Sequence, residues 1–288
     1  MRIILVAGAN GVLGKQILEE LNERGQPAYA LVRDVKRLGR HQSFVQRVHI
    51  ADARDASSLK GVCEGVDAVI STIGASQRLA FTKDQSTFFG TNYQANRNLL
   101  HEALRAGVKK FVYISLCEGN TTLKGVVHAD AHEAFVDELQ TSGLDYAVIR
   151  PTGFFALFEE ILRQARRGRF IMIGEGGAKT NPVHERDVAV SCVDALASSE
   201  KEIDVGGPEI FTRKEIVEMG FEVLAKKPRI SSIPAGVIRV AIFPVRFLDR
   251  RLYDLVHFSI ATFSHDLVAP RVGKYRLRDY LEQLAAAK

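Results

Sequence analysis

The chain has 288 residues, 46% hydrophobic and 25% charged, with a formal net charge of +5 from 39 Lys and Arg against 34 Asp and Glu. That length supports a sizeable core in one large or two unequal domains, and the basic residues are interspersed with acids rather than gathered into aromatic-interleaved stripes, so nucleic-acid binding has no support. Cys63, Cys117 and Cys192 are few, widely separated and odd in number, which excludes a disulfide framework and a zinc cluster, leaves no metal expected, and fits a reducing, cytoplasmic setting.

The first element sets the theme. Ile3 to Ala7 is short, β-branched and apolar without alternation, the pattern of a central parallel strand covered on both faces, and it begins at once, leaving no room for a cleavable leader. Directly behind it stands Gly8-Ala9-Asn10-Gly11-Val12-Leu13-Gly14. Gly8 permits a sharp turn, Gly11 removes the Cβ that would block a phosphate, and Gly14 lets the next helix lie close to the sheet. That helix is expected at Lys15 to Arg24, with Ile17, Leu18 and Leu21 on one face. Unpaired N–H groups at its start, aided by the helix dipole, suit a pyrophosphate. An ordinary strand-turn-helix could carry the same glycines, but a second strand at Ala28 to Val32 completes the nucleotide-binding context. Arg33 then ends that strand where NAD-selective proteins carry an acid for the ribose 2′-hydroxyl. An arginine there can pair with a 2′-phosphate, so NADP(H) is preferred over NAD(H). Asp34 could carry the opposite preference, and with Lys36, Arg37 and Arg40 the segment also reads as a solvated basic loop.

Further strands are expected at Val45 to Ile50, Ala68 to Ile73, Lys110 to Ser115 and Tyr146 to Ile149, with a helix over Ser86 to Ala106 among the intervening segments. This alternation predicts an α/β fold with a Rossmann-type doubly wound parallel sheet: a dinucleotide-binding domain at 1–150, then a smaller C-terminal substrate-covering region at 151–288. The crevice at the carboxyl ends of the strands makes candidates of Asp52, Ala53, Ser71, Thr72, Ile73, Gly74, Ser115, Arg150, Pro151 and Thr152, each of which also reads as strand-end turn chemistry. Past Pro151, Thr212 and Glu215 form a capping box for a helix at Arg213 to Leu224. Val237 to Phe258 reads either as an amphipathic helix in peripheral contact with a membrane or, because Pro244 breaks it, as two packed helices lining an apolar pocket; the second is the expectation. No apolar run approaches the ~20 residues of a membrane span.

Taken together, Gly8-x-x-Gly11-x-x-Gly14, Arg33, Asp52, Ser142-Gly-Leu-Asp-Tyr-Ala-Val-Ile-Arg150-Pro151, Thr152-Gly-Phe154-Phe155, Asn181-Pro-Val-His184-Glu-Arg-Asp187 and Gly206-Gly207-Pro208 with Thr212 resemble, in that order, the atypical short-chain dehydrogenase/reductases, in the branch of the NmrA-like and divinyl-reductase-like proteins. The resemblance implies cofactor contacts from Gly8, Asn10, Gly11, Val12, Leu13, Gly14, Arg33, Asp52, Ala53, Thr72, Ile73, Gly74, Ser115 and Pro151. It also implies a substrate pocket lined by Phe154, Phe155 and Phe158, and a structural Asp187 that orients the loop before the helix at Val188 to Ala197.

One departure bears on chemistry. Hydride-transferring members of the wider superfamily use Tyr-x-x-x-Lys on a helix, and here those positions hold His128 and His132. Spaced four apart, the two share a helix face, so either could donate a proton near neutral pH. As a metal pair they lack evident third and fourth ligands despite Asp130 and Glu133 nearby, and as mere occupants of the crevice rim they do no chemistry. The expectation is an NADP(H)-dependent oxidoreductase acting on an apolar small molecule. The alternative is a catalytically silent NAD(P)-binding sensor or interaction protein of the NmrA-like kind.

Overall fold

A computed structural model describes residues 2–75 and 87–287. Strand and helix alternate as β1 (Ile4–Ala7), α1 (Val12–Glu23), β2 (Ala28–Val32), β3 (Arg47–Ile50), β4 (Ala68–Ser71), α2 (Ala95–Arg105), β5 (Lys110–Ile114), α3 (Val127–Thr141) and β6 (Asp145–Pro151). The second half runs α4 (Glu159–Arg166), β7 (Phe170–Ile173), β8 (Lys179–Thr180), α5 (Glu185–Asp194), β9 (Glu202–Val205), β10 (Phe211–Thr212), α6 (Arg213–Glu222), β11 (Ile230–Ile233), α7 (Ala235–Ile242), α8 (Arg250–Ser264) and α9 (Leu277–Ala286). Seven strands form one parallel sheet in the order β3-β2-β1-β4-β5-β6-β9, the doubly wound arrangement expected from the sequence. Strand order reverses across β1, which opens the crevice between the loops after β1 and β4.

The sheet is buried on both faces. On one side Ile17, Leu18 and Leu21 of α1 are fully buried together with Val188, Ala189 and Cys192 of α5. On the other lie Leu99 and Leu100 of α2 and Phe135, Val136 and Leu139 of α3. Each such side chain contributes about 1.5–3 kcal/mol by leaving water, so these helices are held by packing more than by local propensity.

Three expectations are corrected. Gly11 itself caps α1, so the helix starts three residues before Lys15 and puts Val12, Leu13 and Gly14 in its first turn. The helix expected over Ser86 to Ala106 is, past Ser86 (outside the described residues), a wide π-type turn at Phe89–Gln94 running into α2, and it carries the buried Asn92. The border at residue 150 cuts across the sheet, because β9 pairs with β6 and α5 packs on α1, where Arg186 meets Glu20 at 2.8 Å. Glu202-Ile-Asp-Val205 escaped notice because an edge strand, open along one side, needs no continuous apolar run.

The C-terminal region builds its own core from Phe155, Phe158, Ile161, Met172, Ile216, Phe221, Leu277 and Leu281. Thr212 and Glu215 form the expected capping box. Asn181, fully buried, donates to the Gly207 and Ala269 carbonyls and accepts from the Ala269 N–H. Asp187 does more than orient its own helix: it accepts from the Lys274 and Tyr275 N–H groups and so fixes the tail. A Cβ on Gly207 would lie 1.7 Å from the Pro182 carbonyl oxygen, a backbone atom with no freedom to yield. Gly207→Ala is therefore expected to destabilise the fold by about 1–3 kcal/mol through overpacking, seen as a lower urea midpoint. An unchanged midpoint would show that this clamp is not tight.

Candidate cofactor and active site

The cofactor half is assembled around the turn after β1. Gly8 sits in the left-handed region at φ +79°. The Thr72 hydroxyl beside it donates to the Ala7 carbonyl at 3.0 Å, so the loops after β1 and β4 are joined. A Cβ on Gly14 would lie 2.6 Å from the Gly8 carbonyl oxygen, which is why the helix can lie this close only with glycine there. Gly11 and Val12 are exposed, Gly11 offers no side-chain cap, and the first turn of α1 carries no acid. The helix start is thus open and electrically suited to an anion. Asn10 donates to the Asp34 carbonyl at 2.7 Å, which fixes the loop against the end of β2, while its Oδ1 is buried with no partner in the protein.

At that end Arg33 is exposed. The carboxylate of Asp34 accepts from the Lys36 N–H at 3.0 Å and caps the following 3-10 turn. Asp52 is gripped by Arg54 through Nε and Nη2, and Arg54, with Arg33 nearby, holds its carboxyl below the usual range despite partial burial. Ala53 receives Asn98 on its carbonyl, Ile73 receives Asn96, and Gly74 is exposed. Asn92 accepts from the Ala75 N–H at 2.7 Å. Sequence reasoning passed over Asn92, Asn96 and Asn98. Asparagines on a helix before a strand carry no spacing signal, and only the turn they bond to gives them a role.

The catalytic half is closed. Ser115, 1% exposed, donates to Glu133 at 2.7 Å, so its hydroxyl is committed within the protein and not presented to a cofactor. Arg150, 4% exposed, binds both oxygens of Glu133, at 2.7 and 2.8 Å, and reaches Glu202 and the Leu116 carbonyl. Pro151 accepts from the Cys117 N–H. His128 and His132 are 1% and 6% exposed, so they are not on the crevice rim. His128 meets Asn92 at 3.3 Å beneath Phe88 and Phe258. His132 Nδ1 lies 2.7 Å from the hydroxyl of the fully buried Tyr113.

Burial, with each other's proximity, pushes the His128 pKa well below the ordinary value, and burial, with Arg150, pushes His132 down to about 4. Burial therefore favours the neutral form of both at pH 7, which disfavours the proton-donor reading among the three that the sequence left open. The Tyr113 phenol is driven well above its usual range by burial and by Glu133. Phe155 and Phe158 belong to the C-terminal core, with Phe155 against His184 and Tyr280. Phe154, half-buried, packs instead against the core between the sheet and the α1/α5 layer, so the structure does not bring the three phenylalanines together as one open lining. Among the described residues no group of His, Cys, Asp and Glu could hold a metal, and no helix is long and apolar enough to cross a membrane. A cavity of about 410 Å³ lies at the opposite, amino ends of the strands, between Arg2, Asp67, Lys110 and Asp145, away from all these groups.

A profile described as NAD(P)H-binding matches residues 8–199. The chain belongs to this NAD(P)H-binding family. The family span starts at Gly8 and covers the glycine turn, the Arg33 end of β2 and the closed Ser115–Glu133–Arg150 group. Similar curated proteins include a chloroplastic divinyl chlorophyllide a 8-vinyl-reductase from Cucumis sativus, 27% identical over 94% of this chain and 71% of its own length. A photosystem II assembly factor from Synechocystis is 24% identical over 82% of this chain and 72% of its own length. Against the Arabidopsis thaliana vinyl-reductase the chain is 25% identical over 85% of its length and spans 62% of that protein. Among solved structures, an NADPH-dependent quinone oxidoreductase from Escherichia coli in complex with NADPH superposes with a TM-score of 0.76 at 20% identity, covering 98% of this chain and 99% of that one. Triphenylmethane reductase from Citrobacter with NADP(H) gives 0.76 at 18%, covering 98% and 99%. The resemblance to atypical short-chain dehydrogenase/reductases drawn from the motifs holds.

The two histidines make a pH prediction. Folded-state pKa values below the unfolded value near 6.5 mean that the unfolded chain takes up protons the folded one refuses. Their stabilising contribution is complete above that pH and falls as pH drops toward 4. Between pH 6.5 and 5, the unfolding free energy is expected to fall by on the order of 1–2 kcal/mol through His132, with His128 acting in the same direction and a shallower fall in His132→Gln. A flat profile in urea titrations would contradict buried, neutral imidazoles.

Proposed function

We propose that the chain is an NADPH-dependent reductase of an apolar, conjugated small molecule. The observation that carries the cofactor choice is at the end of β2. The carboxylate that could hold a ribose 2′-hydroxyl, Asp34, caps Lys36, while Arg33 stands exposed beside the Arg54-bound Asp52. The residues fit the group. The open start of α1 takes the pyrophosphate, Arg33 the 2′-phosphate, and the partnerless Asn10 Oδ1 supplies an acceptor in the same loop. Bound NADPH supplies a hydride. The chain positions the acceptor, with residues beyond 150 as the cover.

Among the described residues no charged acid is placed for the acceptor, since Ser115 is held by Glu133 and burial favours the neutral form of both histidines. A conjugated acceptor suits this arrangement, because its receiving carbon needs no acid and the accompanying proton can come from water. The names of the similar proteins, a vinyl-reductase, a quinone oxidoreductase and a triphenylmethane reductase, support an acceptor of that kind. The buried, free Cys63, Cys117 and Cys192 suit a reducing, cytoplasmic compartment. The same lack of a charged acid favours a second reading, a sensor that binds the cofactor without turnover.

Calorimetric titration with NADPH and NADH tests the cofactor. Arg33→Ala is expected to weaken NADPH roughly 10- to 100-fold while leaving NADH within about threefold. Equal losses for both would remove the phosphate role. NADPH oxidation with a panel of quinones and enones separates the two readings: turnover supports the reductase, and binding without turnover of any member supports the sensor.

A further inference from the structure

From Pro234 to Arg250 not one residue is buried, although the stretch is rich in apolar side chains. Val237 is 57% exposed, Val240 78%, Phe243 49%, Phe247 75% and Leu248 88%. The spacing of three, three and four residues lines Val237, Val240, Phe243 and Phe247 along one stripe across α7 and the 3-10 turn Phe243–Phe247, with Leu248 exposed beside its end. The expectation that this segment packs as one of two helices lining an apolar pocket therefore fails for α7, whereas α8 packs inward through Leu255, Ile260 and Phe258. The stripe is edged by cations. Between 234 and 251 Arg239, Arg246, Arg250 and Arg251 stand with Asp249, and Arg250 is itself paired with Asp254 on α8 at 3.0 Å, so Arg239 and Arg246 carry the stripe's positive charge. The Arg246 guanidinium lies 5.4 Å from the Phe243 ring centre, 5.3 Å from that of Phe247 and 6.0 Å from that of Tyr253.

We infer that this segment docks the protein on an anionic bilayer surface, with Val240, Phe243, Phe247 and Leu248 entering the acyl boundary and the arginines meeting lipid phosphates. Exposed aliphatic and aromatic side chains interleaved with arginine, nearly free of acid, match the chemistry of an interfacial helix. Charge selects the occupant. A two-fold pairing with a second copy would bring arginines against arginines, whereas an anionic membrane complements them. Among the described residues no helix is long and apolar enough to cross a membrane, and the proposed contact is made at the bilayer surface. α8 starts where the docked segment ends and carries Phe258 onto the buried His128, which anchors the segment to the body of the protein. The docking proposal does not depend on the reductase reading.

Flotation of the purified protein with vesicles of phosphatidylcholine alone, and with about one-third phosphatidylglycerol, tests it. Partition into the anionic vesicles is expected to be at least about tenfold stronger, and to fall as salt is raised toward about 0.5 M. Phe247→Ser with Leu248→Ser should lower it about tenfold, and Arg239→Gln with Arg246→Gln should abolish the preference for anionic lipid. All four side chains are exposed, and circular dichroism with NADPH titration checks that each variant is folded. Equal partition into both vesicle types, insensitivity to both pairs of substitutions, or a dimer by light scattering that Phe247→Ser with Leu248→Ser dissolves would each overturn the inference.

Discussion

Arg150 is the group on which the middle of this molecule depends. Its guanidinium, almost entirely out of water, ties the end of β6 to Glu133 on α3, to the Leu116 carbonyl after β5 and to Glu202 on β9. A buried ion pair adds little to stability over an apolar pair of the same shape, but removing one partner leaves an uncompensated charge at a cost of about 3–5 kcal/mol. Its effect here is positional. Three strands and a helix must meet where the fork of one arginine can reach all of them.

That placement divides the crevice into two unlike halves. On one side the turn after β1 leaves the start of α1 open, Arg33 exposed and the buried Asn10 oxygen without a partner in the protein. On the other side polar groups satisfy one another: Ser115 with Glu133, His132 with Tyr113, His128 with Asn92. The two imidazoles are kept neutral by the same burial that lets them pack. Such a site suits chemistry in which the cofactor supplies the reactivity and the protein supplies orientation.

The C-terminal half shows the same contrast between closed and open. Asn181, Gly207 and Asp187 knit three distant segments into a clamp with no slack, which explains why that motif reads so distinctly in the sequence. A few dozen residues later the chain presents an apolar, arginine-edged stripe with nothing of its own to cover it. Burial is worth so much per side chain that an apolar stripe left outside marks a surface whose partner lies outside the chain.

The sequence by itself determined the doubly wound sheet, the glycine turn and the capping box, because each is a local rule: apolar runs make buried strands, glycines permit one close approach, and Thr212 with Glu215 closes one helix start. It also placed Arg33 at the end of β2, although Asp34 stayed ambiguous until its bond to the Lys36 N–H was visible. Tertiary structure alone decided that the chain returns past residue 150 to add β9, that Ser115 belongs to Glu133, and that Phe155 and Phe158 are core. It likewise turned His128 and His132 from candidate acids into neutral buried groups. Spacing shows that two side chains share a helix face, but a pKa depends on the water, charges and hydrogen bonds that every neighbouring element brings, and the hydrogen-bond partners of these two histidines alone come from 19 and 36 positions away in the chain.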